Sequence, residues 1–138
     1  MKEKYIQVIF GKKNKLFGFF ELKLLNLEKS KSIRFDAVAA HQMSALKDVI
    51  SQDGFYHKLT DPPIFPGMQT RFNVKRPFDC FKVCNMPAYI VIVVYVPRKR
   101  KTAYYVEPKK WVEAQKDLGK KSIRESELLT YASFLDNL

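Results

Sequence analysis

Between residues 15 and 25 the chain reads KLFGFFELKLL, an apolar run interrupted by one carboxylate, Glu21, and one amine, Lys23. In a strand, side chains alternate between faces, so Phe17, Phe19, Glu21, Lys23 and Leu25 share one side and Leu16, Phe20, Leu22 and Leu24 the other. The preceding segment EKYIQVIF is also apolar, and the polar GKKNK between the two predicts a turn, so the first 25 residues read as a β-hairpin. A charged loop, LNLEKSKSIR, follows. Over residues 35–52 the spacing of Phe35, Val38, Ala39, Ala45, Leu46 and Val49 predicts an amphipathic helix. Gln42 falls in the middle of that apolar stripe and is expected to face the sheet.

DGFYHKLTD predicts a further short strand, and a Pro-punctuated, basic-aromatic segment without clear periodicity runs over residues 62–87. AYIVIVVYV is β-branched and apolar on both faces, as a central strand must be, and TAYYVE after the turn PRKRK (97–101) is its expected hairpin partner. The remainder predicts one or two helices broken at Gly119, with Pro108 opening the first and Ser122 capping the second beside Glu125. The fold class is thus α/β or α+β, a mixed sheet flanked by helices in a single domain over residues 1–138.

Charge sharpens this picture. With 25 Lys and Arg against 14 Asp and Glu the chain carries a net +11, which favours a polyanionic partner through long-range steering and counterion release. The basic residues cluster in three places: Lys12, Lys13 and Lys15; Lys29, Lys31 and Arg34; and Lys120, Lys121 and Arg124. Each alone reads as a solvated turn, and together they read as a phosphate-tracking surface. RKRK at 98–101 reads equally as an exposed turn. The longest apolar run, PAYIVIVVYVP, is too short to span a bilayer, and MKEKYIQV lacks the core of a secretion signal, so an intracellular, membrane-free protein is expected. Cys80 and Cys84, with His41 and His57, do not have zinc-finger spacing; the cysteines read as reduced, partly buried thiols and His41, off the helix stripe, as a surface or boundary residue.

An acid and a base on one strand face invite three explanations: a surface ion pair, a bound cation, or a reaction. The Glu-x-Lys strand, the basic loop and the helix with His-Gln, in that order, resemble the nuclease core of the PD-(D/E)XK superfamily. FFELKLLNLEKSKSIRFDAVAAHQMSAL in particular is similar to the equivalent stretch of RecU-type Holliday-junction resolvases, and AYIVIVVY, TAYYVEPKKWV and GKKSIRESEL resemble that family's later hairpin and basic segment. Residues 60–86 have no counterpart there and look like an insertion. The resemblance implies a Mg²⁺ (or Mn²⁺)-dependent endonuclease on branched DNA, working as a homodimer. Glu21 would then be a metal ligand, Lys23 a water-orienting or charge-stabilising group, and Gln42 a hydrogen-bonding partner of water, phosphate or Lys23; the plainer reading of Gln42 is a satisfied buried amide.

One position departs from the family. Its motif has an Asp on the preceding strand, where this chain has Gln7, a poorer Mg²⁺ ligand than a carboxylate. KRPFDCF resembles the Pro-x-Asp signature and offers Asp79 as a replacement, although it follows the Glu-x-Lys strand; Asp36 and Asp61 are weaker candidates, and a turn cap is the plainer role for Asp79. The departure keeps a second reading open, a catalytically silent nuclease-fold protein that binds nucleic acid or a protein partner. An RNA-binding module is disfavoured because the aromatics lie in apolar runs.

Overall fold

A computed structural model describes residues 3–58 and 80–138. Its first element is a helix, α1 (Glu3–Lys13), not a strand. Ile6 and Phe10, four apart and buried, form its inner stripe; Glu3 in the first turn and Lys12 and Lys13 in the last complement the helix dipole. The predicted N-terminal hairpin is therefore overturned. GKKNK is the helix end, where the Asn14 N–H still reaches the Phe10 carbonyl at 2.7 Å.

β1 (Phe19–Asn26) carries the Glu-x-Lys pair and is entered through Gly18, where a Cβ would lie 2.7 Å from the Pro87 carbonyl oxygen. β2 (Ser32–Arg34), a single 3₁₀ turn (Phe35–Ala37) and α2 (Ala40–Ile50) follow. α2 lies within the predicted helix but starts later, because Phe35–Ala37 winds as the tighter turn. The short strand expected in DGFYHKLTD is β3 (Phe55–Lys58), which pairs with β4 (Cys80–Val83). Of the segment read as an insertion, residues 80–86 are described; Asp61 and Asp79 lie outside the described residues.

β5 (Ala88–Val96) is the central strand and β6 (Arg100–Val106) its antiparallel hairpin partner, as their apolar patterns predict. After them come α3 (Pro108–Leu118), β7 (Ser122–Arg124), α4 (Glu125–Tyr131) and β8 (Phe134–Asn137). Gly119, in the left-handed region at φ 59°, ends α3 where a helix break is expected. Ser122 does not cap α4. The fully buried Ile123 pins its tripeptide to the core as a strand, and the helix start is satisfied instead by Glu127, whose Oε2 accepts the Arg124 N–H at 2.9 Å.

The main sheet has the order β1-β5-β6-β8, with β1 parallel to β5 and the other pairs antiparallel. Parallel pairing requires a crossover, and α2 lies in it. On one face Leu25, Ile90, Ile92, Val94 and Val106 meet Leu46 and Val49 of α2 and Trp111 and Ala114 of α3. On the other, Val91, Val93, Ala103 and Tyr105 meet Ile6 and Phe10 of α1, with Phe20, Leu22 and Leu24 alongside. Register places Glu21 beside Ile90 and Lys23 beside Ile92, so both charges belong to the α2 face. No described helix is long and apolar enough to cross a membrane.

Tyr105, stacked on Phe134 with ring centroids 4.4 Å apart, sits in the second core. Burial, aided by Asp136, pushes its phenol up to about 12. A raised native pKa makes stability complete below the unfolded tyrosine value of about 10 and lost as pH climbs through the native value. Alkaline unfolding monitored by circular dichroism should therefore set in across roughly pH 10–12, and Tyr105→Phe should flatten that limb.

Candidate functional site

Glu21 is the point on which two elements converge. Lys23, two residues along the same strand face, places its Nζ 3.0 Å from Glu21 Oε1. Gln42 of α2 faces the sheet, as its place in the apolar stripe predicts, but the protein group its Nε2 donates to, at 2.8 Å, is that same Glu21 oxygen and not Lys23. The amide's orientation follows from its other bond, since Gln42 Oε1 accepts the Ala39 N–H at the start of α2 at 3.0 Å. Gln42 thus serves the helix terminus and the carboxylate at once, and both Glu21 contacts fall on Oε1. Among the described residues no hydrogen bond reaches Oε2.

Exposure decides what this triad can do. The Lys23 and Glu21 side chains are 20% and 27% exposed, so the pair is screened from bulk water yet open to a ligand. Beside it lies a cavity of about 270 Å³ with an apolar floor of Phe19, Leu46, Val49 and Phe55 and a polar rim of Glu21, Gln42 and the exposed His41. His41 is at the surface, within the surface-or-boundary placement the sequence predicts.

The remaining expected ligands do not join this centre. Gln7 is on α1, exposed, with its Nε2 3.4 Å from Glu3 Oε1, and α1 packs on the opposite face of the sheet from Glu21. The correspondence of Gln7 with a strand Asp fails with the hairpin on which it rested. Asp36 is exposed and bound by Arg34, whose Nε and Nη2 lie 2.9 and 2.6 Å from its carboxylate oxygens; that guanidinium holds the carboxyl below its ordinary value. Among the described residues no group of three His, Cys, Asp or Glu converges on one point. Cys80 and Cys84 are free, and Cys84 is exposed, contrary to the expectation of two partly buried thiols, because it follows β4 in a surface turn.

The basic clusters divide. β2 and β7 form a two-stranded antiparallel ribbon with Ile33 opposite Ile123, Ser32 opposite Arg124 and Arg34 opposite Ser122. The two isoleucines are buried in the α2-face core, so Arg34 and Arg124 point outward on the same side of the sheet as Glu21. The Phe35 N–H bond to the Lys121 carbonyl, at 3.0 Å, extends the ribbon. Lys29–Arg34 and Lys120–Arg124, distant in sequence, are one surface. Their pairing had a signal in the sequence, for KSIR occurs twice, at 31–34 and 121–124.

Lys12, Lys13 and Lys15 instead line a separate cavity of about 640 Å³ with Tyr105, Phe134 and Asp136, on the α1 face. On the ribbon side, Arg100 and Tyr104 both donate to Glu125 Oε1, the tyrosine at 2.7 Å, locking α4 to β6. Burial and that carboxylate raise the Tyr104 phenol above its ordinary value.

Compared with protein-family models, curated proteins and solved structures, the chain matches none.

Proposed function

We propose that the chain is a divalent-metal-dependent DNA endonuclease of the RecU-like, PD-(D/E)XK type, acting on branched or otherwise structured DNA. The observation that carries this reading is the hydrogen bond from Gln42 to Glu21, which joins a helix amide and a Glu-x-Lys strand at the rim of an open cavity. A purely structural ion pair needs no such third partner.

The donor set fits a hard cation in part. Glu21 offers Oε2, while Gln42 has its oxygen committed to Ala39 and offers none. Mg²⁺ is commonly held by one or two carboxylates together with waters and substrate phosphate oxygens. When bound it would neutralise charge on the phosphodiester and acidify the attacking water. The residues' own work is positional and electrostatic. Gln42 fixes the Glu21 carboxylate. Lys23 supplies a positive charge beside the scissile group, where charge gathers in the transition state. The β2–β7 ribbon, on the same side, provides phosphate contacts that carry no sequence information.

The second carboxylate is assigned to Asp79 on the KRPFDCF motif alone. The test is Mg²⁺-dependent cleavage of a four-way DNA junction by the full chain, compared with Asp79→Asn. Loss of cleavage at unchanged junction affinity is expected. Cleavage by Asp79→Asn at the wild-type rate overturns the assignment of the second ligand, and no cleavage by wild type with either Mg²⁺ or Mn²⁺ overturns the enzyme reading. That last result would favour the silent nucleic-acid-binding alternative, which the position of Gln7 on the far face of the sheet already motivates.

A further inference from the structure

We propose that the cavity between the end of α1 and β8 binds a nucleoside phosphate, its phosphate tail held by Lys12, Lys13 and Lys15 and its base laid against Tyr105 and Phe134. The cavity, of about 640 Å³, is lined by described residues of α1, the segment after it, β6 and β8. It lies on the face of the sheet opposite Glu21, so it shares no residue with the candidate site and does not rest on the nuclease reading.

Charge selects the ligand's tail. The three lysines are exposed, and among the described residues none is paired with a carboxylate. Against them stand Asp136, on the rim, and the carbonyl end of α1, which carries roughly half a unit of negative charge. The balance stays positive by roughly one and a half charges. Because the helix end itself repels an anion, the attraction comes from the ammoniums, each with three rotatable donors for phosphate oxygens.

The wall selects the rest of the ligand. Tyr105 lines the cavity although it is only 1% exposed. Its hydroxyl donates to Asn14 Oδ1 across 3.4 Å, well beyond the ordinary O–H···O length of about 2.7–2.8 Å, and that oxygen already accepts the Leu16 N–H at 3.0 Å. A buried donor so poorly satisfied points to an acceptor from outside the chain. Phe134 stacks on Tyr105 with ring centroids 4.4 Å apart, which gives the wall an aromatic surface of the kind on which any base can lie. Asp136, two residues along β8, offers an acceptor for sugar hydroxyls. A bare anion would leave the aromatic wall unused, and a neutral base would leave the ammoniums unused.

Isothermal titration calorimetry of the full chain with ADP, pyrophosphate and adenosine, all without Mg²⁺, tests this with no cleavage readout. ADP should bind one to one, with pyrophosphate and adenosine each about tenfold or more weaker. ADP should also raise the melting temperature, since it binds only the folded chain, where α1 meets β8. Alanine at Lys12, Lys13 and Lys15 together should weaken ADP about tenfold or more. Tyr105→Phe, which keeps the ring and removes the donor, should weaken it less. Alanine at Lys121 and Arg124, on the other side of the sheet, should leave it unchanged. No ADP binding, pyrophosphate bound as tightly as ADP, or binding that survives loss of the three lysines and fails without Lys121 and Arg124 would each overturn the proposal. Displacement of ADP by phosphatidylserine vesicles at equal phosphate concentration would also overturn it, assigning the lysines to an anionic membrane surface.

Discussion

Glu21→Gln is expected to lower Mg²⁺-dependent junction cleavage by about three orders of magnitude, the size of losing several kcal/mol of metal-assisted stabilisation, while leaving the fold intact. The substitution is nearly isosteric, and the amide oxygen it introduces still accepts from Gln42 Nε2 and Lys23 Nζ, now 2.8 and 3.0 Å away. Thermal melting should therefore move little. Lys23→Ala should also remove cleavage while leaving a carboxylate able to bind the ion, so its Mg²⁺ affinity, read by calorimetry, should not fall. Gln42→Ala should behave differently from both. It frees the carboxylate and orphans the Ala39 N–H, so it should lower the melting temperature and raise the Mg²⁺ concentration needed for half-maximal rate. If Glu21 and Lys23 are only a structural pair, the pattern inverts: melting temperatures fall and any cleavage survives in both strand variants.

These expectations rest on geometry that was partly legible in the chain. Period-two alternation sets Glu21 and Lys23 on one face of β1 whatever its neighbours are, and the helical stripe directs Gln42 inward whatever it meets, so their convergence follows from two local rules. β5 is legible because buried strands read as continuous β-branched runs. The first thirteen residues were not legible in the same way. In EKYIQVIFGKK the apolar residues Tyr5, Ile6, Val8, Ile9 and Phe10 satisfy a helical stripe and a strand equally, and only packing of Ile6 and Phe10 on the sheet selects the helix. The assignment of Gln7 fell with that choice. β2 and β7 are three residues each, too short for any periodicity, and exist because Ile33 and Ile123 are drawn into the core from opposite ends of the chain.

That pairing fixes the second large expected effect, the salt dependence of DNA binding. Of the six basic residues on the ribbon and its flanks, Arg34 is held by Asp36 and Lys120 by Glu127 at 2.7 Å, which leaves Lys29, Lys31, Lys121 and Arg124 for phosphate. Exposed ion pairs are weak enough to exchange partners, so the number of phosphates neutralised lies between about four and six. At roughly 0.9 counterions released per contact, affinity for a DNA junction should fall with a log–log slope between about −3.6 and −5.4, or two to three orders of magnitude from about 50 to 200 mM salt. Binding should discriminate little among sequences of one shape, because contacts of this kind read phosphate and not base edges. Alanine at both Lys121 and Arg124 should reduce the slope by about two. Alanine at Lys12, Lys13 and Lys15 should leave it unchanged, because those lysines border the other face of the sheet, beside Tyr105 and Phe134. Fluorescence anisotropy titrations at several salt concentrations separate the outcomes. A slope near zero removes nucleic acid as the partner, and a slope that falls only with the α1 lysines moves the DNA path to the opposite side of the sheet from Glu21, where cleavage at that residue is geometrically impossible.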